Sequence, residues 1–122
     1  MADKLLFIFV NSDPKSVDAL GTILSQVKVA AAMEFEVDVI FTGLCDILAK
    51  KTVAEKLIID GDPPRTVYDL IKDAHETGVQ FKVCPRPFTE WEDDLIPEVG
   101  EVVGSAYIIS EAMNDETESF TY

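Results

Sequence analysis

The sequence contains few of the residues from which metal and catalytic sites are most often built. Its 122 residues include two cysteines and one histidine. Cys45 and Cys84 lack the C-x-x-C spacing of a zinc or redox pair, and one histidine supplies neither a proton relay nor a second nitrogen ligand. The acidic run over residues 90–94 lacks the alternating oxygen ligands and the internal glycine of a calcium loop. We therefore expect no bound metal.

Basic residues are also scarce. The chain has 10 lysines and arginines against 23 acidic residues, and its formal net charge is −13. Nucleic-acid backbones and anionic lipid surfaces are bound through clustered positive charge. The charge balance therefore argues against a nucleic-acid partner and against a membrane partner.

Long apolar runs and glycine-rich phosphate loops are missing. No run approaches the roughly 20 apolar residues that cross a bilayer, and residues 1–4 pass into a short apolar run that does not resemble a signal peptide. We expect a cytoplasmic protein with free thiols, since structural disulfides are rare in reducing compartments. Neither G-x-x-x-x-G-K-[ST] nor G-x-G-x-x-G occurs, so no cofactor is expected.

The chain does contain an alternation of strand-like and helix-like segments. Strand-length apolar runs alternate with segments whose apolar residues recur every three or four positions. Asp13 is expected to cap the first helix, and Thr66 with Asp69 to form a capping box before a later one. The pattern predicts strands over residues 4–10, 37–42, 79–84, 106–110 and 119–122, helices over 13–34, 66–78 and 90–99, a short helical segment after residue 43, and a loop over 56–65.

This order predicts one α/β domain over residues 1–122, with a mostly parallel sheet and helices on both faces. In such sheets, functional residues collect at the carboxyl ends of the strands. Asn11, Cys45 and Cys84 all follow or end predicted strands. The sequence therefore predicts that these three residues share one edge of the sheet.

Cys84 is the candidate for chemistry at that edge. Pro85 follows it and restricts it to an extended backbone. A thiol reacts as its thiolate, which a cation such as Arg86 would favour and the acidic residues that follow would oppose. The position also suits a buried, inert cysteine, because unpaired cysteine is among the most buried residue types. The residues alone leave both interpretations open for Cys84, and for Cys45 they favour simple packing.

Five segments spread over nearly the whole chain carry a resemblance to a known family. They are LLFIFV, VDVIFTG, TVYDLIKDAHETGVQFKVC, DLIPEV and GSAYIISEAMNDETESFTY. Together they resemble the DsrE/DsrF-like sulfur-relay family, which includes YchN-type and Tus-type proteins. The third segment is the most specific, because in the family a helix, a Gly-Val turn and a strand lead to the cysteine that accepts sulfur. The resemblance implies a flavodoxin-like sheet, a trimeric or hexameric homo-oligomer, and a persulfide on Cys84.

Three functions follow as hypotheses. In the first, the chain is a sulfur relay in which Cys84 exchanges sulfur with donor and acceptor proteins, supported by Arg86, Asn11 and Cys45. In the second, it is a non-catalytic oligomeric interaction module with a buried Cys84. In the third, it binds a small ligand at the strand ends near Asn11 and Cys45. Solvent access of Cys84 distinguishes the first two.

The expected strand order bears on whether the two cysteines act together. In the 2-1-3 order of flavodoxin-like folds, the first strand lies between the strands that precede Cys45 and carry Cys84. Two strand spacings then separate their backbones by roughly 10 Å, beyond the approximately 7 Å that a disulfide spans between Cα atoms. We therefore expect Cys84 to act without a disulfide to Cys45.

Overall fold

Alternating strands and helices account for most of the chain in the computed structural model, which describes residues 4–13, 15–59, 61, 63–84 and 95–122. The strands within these residues are β1 (Lys4–Phe9), β2 (Glu36–Phe41), β3 (Ile58–Ile59), β4 (Arg65–Thr66), β5 (Gln80–Val83), β6 (Val99–Val102) and β7 (Thr117–Thr121). The α-helices are α1 (Val17–Ala32), α2 (Lys51–Ala54), α3 (Val67–Thr77) and α4 (Ser105–Ala112), and a 3₁₀ helix spans Gly43–Ala49.

The main sheet of the described residues has five parallel strands in the order β6-β5-β2-β1-β7. The predicted α/β class is confirmed, and the sheet is flavodoxin-like in being parallel with helices packed around it. The expected 2-1-3 order is wrong, because β2 lies between β1 and β5. The strands β1, β2 and β5 are therefore neighbours and form the centre of the sheet. Their apolar sequences fit strands that are buried on both faces.

The two faces of the sheet carry different cores because successive strand residues point to opposite sides. One face packs against α1, α3 and the 3₁₀ helix and contains the larger cluster, including Phe9, Phe41 and Phe81. The opposite face contains Leu6, Ile8, Ile40 and Cys84, with α4 packed against them. The second face is therefore the more lightly covered one.

Local sequence explains where α3 begins and ends. The Thr66 side chain accepts a hydrogen bond from the Asp69 backbone, and the Asp69 carboxylate accepts one from the Thr66 backbone. Gly78 ends the helix in the left-handed region, with φ of 119°. The predicted capping box is confirmed. Helix α1 begins later than predicted, with Ser16 at its N-cap, and Asp13 instead accepts from the Lys15 backbone in a tight turn before it.

Three other segments differ from the structure that the sequence predicts. Residues 106–110 were expected to form a strand but lie in helix α4; a run of four apolar residues does not distinguish the two structures. The helix expected over 90–99 is wrong for residues 95–99, which form a turn and the start of β6, and Gly100 disfavours a helix there. Residues 90–94 lie outside the described residues. The expected loop over 56–65 contains the short antiparallel pair β3–β4.

The strand over the C-terminal residues is confirmed as β7. No helix of the described residues is long and apolar enough to span a membrane.

Candidate functional site

Cys84 lies directly after β5, at the carboxyl edge of the sheet. Its backbone nitrogen donates to the carbonyl of Phe41 at 2.9 Å, so the pairing between β5 and β2 continues through the cysteine. The side chain packs with Leu6, Ile8 and Ile40, and the residue is 9% exposed. Cys84 is therefore buried in an apolar cluster at the end of a central strand, although less completely than its neighbours Leu6 and Ile40.

Helix α4 covers this cluster from above. Tyr107, Ile108 and Ala112 of the helix, with Val103 just before it, are partly buried against the group that contains Cys84. Arg86, the predicted cationic neighbour of Cys84, lies outside the described residues.

Cys45 occupies a different environment. It lies in the 3₁₀ helix, is fully buried, and belongs to the larger cluster on the α1 and α3 face. Its Sγ donates to the Ser12 carbonyl at 3.1 Å. Burial raises the pKa of the Cys45 thiol to about 11, and the charges of Asp46 and Asp13 act in the same direction. This thiol stays protonated near neutral pH and is a poor nucleophile.

The carboxyl edge of the sheet is tightly packed around Gly43, between β2 and Cys45. The φ of Gly43 is +55°, and a side chain there would meet Cγ2 of Val10 at 2.7 Å and its carbonyl oxygen at 2.8 Å. The backbone of Leu44 donates to the same Val10 carbonyl. Asn11, the other predicted supporting residue, is exposed, and its backbone nitrogen donates to the Tyr122 carbonyl at 2.8 Å. The segment after β1, which includes Asn11, therefore packs closely against the segment after β2, which includes Cys45.

A buried group of charges lies on the same face of the sheet as Cys84. The carboxylate of Asp38, in the middle of β2, is 1% exposed. Its Oδ2 lies 3.0 Å from Nζ of Lys82 on β5 and 3.0 Å from Nζ of Lys4 on β1. Three neighbouring strands therefore contribute one anion and two cations to the centre of the sheet.

Helix α4 completes this group. Glu111 accepts from Lys4 at 3.0 Å, and Lys82 donates to the Tyr107 hydroxyl while its Nζ lies 4.7 Å from the centre of the Tyr107 ring. Burial alone would lower the pKa of Lys82, but its hydrogen bonds to Tyr107 and Asp38 raise it. Likewise, burial lowers the pKa of Lys4 and its bonds to Glu111 and Asp38 more than compensate. Both lysines are held as cations.

Sequence reasoning missed this group, although a signal for it was present. Asp38 interrupts the apolar run of β2, and Lys82 interrupts that of β5. Opposite charges in two strands that are otherwise buried indicate a pair across the sheet, because unpaired charges are almost never buried. Recognising the pair required knowing that β2 and β5 are neighbours, and the 2-1-3 order separates them.

A second buried carboxylate was also missed. Glu98 is 8% exposed, and the Tyr68 hydroxyl of α3 donates to its Oε1 at 2.7 Å. The interaction raises the pKa of Tyr68 to about 12. His75 lies near the end of α3, where its Nδ1 is 3.2 Å from the Val79 carbonyl. These contacts tie α3 to the start of β5 and to the segment before β6.

No protein-family model matches the sequence, and no curated protein matches it. Among the residues with a described position, no group of three or more His, Cys, Asp or Glu side chains is placed to hold a metal ion.

Proposed function

We propose that this chain is a cytoplasmic sulfur-relay protein of the DsrE-like type, which accepts and passes sulfane sulfur on Cys84. The observation that carries the proposal is the contrast between the two thiols. Cys84 ends a central strand with 9% of its surface open, whereas Cys45 is fully buried with a pKa raised to about 11. Both cysteines are buried, but Cys84 is the less completely buried of the two, and it lies at the edge where parallel sheets place their sites.

The chemistry is thiol–persulfide exchange and needs no external oxidant. The Cys84 thiolate attacks the outer sulfur of a donor persulfide, a new S–S bond forms, and the donor's inner sulfur leaves as a thiolate that takes up a proton. Cys84 then carries the persulfide. An acceptor thiolate attacks the outer sulfur in turn, and Cys84 leaves as a thiolate. No electrons are gained or lost overall in either step.

The surroundings of Cys84 support the role of carrier. Leu6, Ile8 and Ile40 form an apolar wall, which limits the access of water and small thiols to a bound persulfide. Transfer therefore requires a partner protein that brings its own thiol to the edge of the sheet. With a net charge of −13, the chain would attract partners with basic surfaces, and we propose that it works as a trimer or hexamer.

Loading with sulfur tests the proposal. The full chain is incubated with polysulfide, and its intact mass is measured before and after reduction, alongside Cys84→Ser and Cys45→Ser. We expect a reducible gain in whole sulfur atoms in the wild type and in Cys45→Ser, and no gain in Cys84→Ser. Loss of loading in both variants would mean that the mechanism uses two cysteines. Absence of loading in the wild type, under conditions in which iodoacetamide modifies Cys84, would refute a persulfide carrier.

One observation favours a second candidate, a non-catalytic interaction module. Cys84 packs against the fully buried Leu6 and Ile40, as a purely structural cysteine would. In that case Cys84→Ser, which places a hydroxyl in the apolar cluster, lowers stability, while Cys84→Val preserves both the fold and the assembly. The wild type then gains no sulfur, and this result separates the module from the relay.

A further inference from the structure

Helix α4 combines two properties that are seldom found together. It covers the apolar cluster that contains Cys84, yet none of its eight residues is buried. Ile109 is 63% exposed, and Met113, which follows the helix, is 77% exposed. A helix that seals a core usually buries its own apolar stripe. Here the sheet side is sealed, but the contacts that the helix makes with the described part of the sheet come from side chains that are partly buried.

Polar contacts supply much of the attachment. Glu111 accepts from Lys4, and Tyr107 accepts from Lys82 and lies beneath its ammonium group. The Lys4 and Glu111 side chains retain 17% and 24% of their exposure, so water reaches this pair. The two links lie one helical turn apart on α4 and reach β1 and β5, the strands on either side of β2.

The sheet does not need α4 to neutralise its buried charges. If α4 moved away, Lys4 and Lys82 would still share Oδ2 of Asp38. Oδ1 of Asp38 accepts no hydrogen bond from the described part of the chain, with α4 in place. Water entering beneath a displaced α4 would satisfy this buried oxygen, which lowers the cost of opening.

Backbone contacts define the ends of the segment that would move. On one side, the nitrogen of Val103 donates to the Val83 carbonyl at 2.8 Å. On the other, the nitrogen of Lys4 donates to the Glu116 carbonyl at 3.2 Å. Between these anchors, α4 begins after Gly104, a residue without a side chain that could cap the helix. Residues 104–115 are therefore fixed to the sheet at both ends and bonded to it in between through side chains.

We propose that α4 is a hinged cover over Cys84, which opens as a unit while the sheet stays folded, and that a partner reaches the thiol by displacing it. The opening is a property of the fold, and only its purpose rests on the proposed sulfur relay. Lys4–Glu111 and Lys82–Tyr107 are the contacts that hold the cover closed. Their removal exposes Cys84 without exposing Cys45, which belongs to the core on the other face.

Alkylation kinetics on the full chain test the cover. Wild type, Glu111→Gln, Tyr107→Phe and the double variant react with iodoacetamide, and mass spectrometry follows Cys84 and Cys45 separately. The matched control is Glu118→Gln, which removes one carboxylate from an exposed position on β7. We expect the Cys84 rate to rise about 2- to 5-fold in Glu111→Gln, as for loss of one partly exposed ion pair, and further in the double variant. The Cys45 rate and the control should match the wild type.

Two results would overturn the cover. Equal acceleration of Cys84 and Cys45 would show that the variants loosen the whole fold, and an unchanged Cys84 rate in the double variant would show that α4 is not the barrier. Hydrogen–deuterium exchange provides a second measurement, in which α4 amides should exchange faster in the double variant while those of β1 and β2 do not. Alkylation needs no sulfur donor. A variant that alkylates faster but takes up no sulfur refutes the relay and leaves the cover, whereas sulfur loading with unchanged alkylation refutes the cover alone.

Discussion

The sulfur atoms of Cys45 and Cys84 belong to two separate apolar clusters. Cys45 packs with the residues between the sheet and α1, whereas Cys84 packs with those beneath α4. Odd and even residues of a strand face opposite sides, so the sheet itself lies between these clusters. We therefore still expect Cys84 to act without a disulfide to Cys45, but for a different reason. The strand that was expected to separate them is on the other side of β2, and the separation now comes from the two faces.

This contrast predicts different reactivity toward a small alkylating agent. At pH 8, a thiol of pKa about 11 is thiolate in about one molecule per thousand, and Cys45 is also fully buried. We expect iodoacetamide to modify Cys84 at least about 10-fold faster than Cys45 in the native protein. Peptide mass spectrometry over a time course measures both rates, and labelling in denaturant provides the control. Equal protection of both sulfurs until denaturant is added would remove the case for a relay.

The raised pKa of Cys45 also predicts a change of stability with pH. The folded state holds the proton more tightly, because burial raises the pKa from its ordinary value of 9.0 to about 11. This stabilisation is complete below pH 9 and is lost as the pH rises through 11, at up to about 1.4 kcal/mol per pH unit. The difference in unfolding free energy between wild type and Cys45→Ala should therefore shrink from pH 8 to pH 10.5.

Urea titrations of the two proteins at several pH values give that difference directly. Tyr68, whose pKa is raised to about 12, titrates in both proteins, so its contribution cancels. If the unfolding free energies of the two proteins changed with pH in parallel, the folded protein would not favour the protonated Cys45 thiol.

At the residue level, the sequence located Cys84 well and the buried charges poorly. A cysteine at the end of an apolar strand is visible in one segment, since strand periodicity and the following proline are local signals. Asp38 and Lys82 lie 44 positions apart, and their pairing depends on which strands are neighbours. Strand order follows from long-range packing, which a single sequence does not display.

At the scale of elements, length and capping decided which predictions held. The longest helices, α1 and α3, carry apolar residues over three or more turns, and α3 has both a capping box and Gly78 at its end. Helix α4 has eight residues and no side-chain cap, and its apolar run of four also fits a strand. Short elements take their structure from the surface on which they pack, and for α4 that surface is the sheet face around Cys84.

The backbone at the junction between β2 and the 3₁₀ helix requires glycine at position 43. Replacing Gly43 by Ala places a Cβ 2.7 Å from Cγ2 of Val10 at a φ of +55°, where L-residues are strained. We expect a loss of about 1–3 kcal/mol in unfolding free energy, measured by urea denaturation. The control is Gly100→Ala on β6, where an added Cβ meets nothing within 4 Å, and its effect should stay within about 0.5 kcal/mol. Similar losses in both variants would contradict this account of the junction.

On the scale of the whole molecule, apolar surface remains on the face opposite Cys84. A groove of about 540 Å³ along α1 is lined by apolar side chains that include Leu5, Val29 and Met33. Met33 is 63% exposed and Val29 is 57% exposed. At the neighbouring edge strand β7, Phe120 stacks on Phe7 with ring centres 5.1 Å apart and is still 41% exposed. An apolar groove bordered by exposed apolar side chains is typical of a surface that another protein covers.

A second copy of the chain is the occupant that we expect for this surface, in a trimer or hexamer. Small domains bury a limited fraction of their surface alone, and symmetric assembly extends it. The net charge of −13 opposes association, but at 0.15 M salt the screening length is about 8 Å, so repulsion between distant carboxylates is weak.

Light scattering coupled to size exclusion in 0.15 M salt should therefore give three or six times the 13.5 kDa of the chain. Met33→Glu puts a charge into the groove along α1 and should shift the distribution toward the monomer, because an unpaired charge is costly to bury in an interface. Met113→Glu is the matched control, since Met113 is 77% exposed after α4, and it should leave the mass unchanged. A wild-type monomer at micromolar concentration would refute the assembly. Equal responses of the two variants would place the interface elsewhere than on α1.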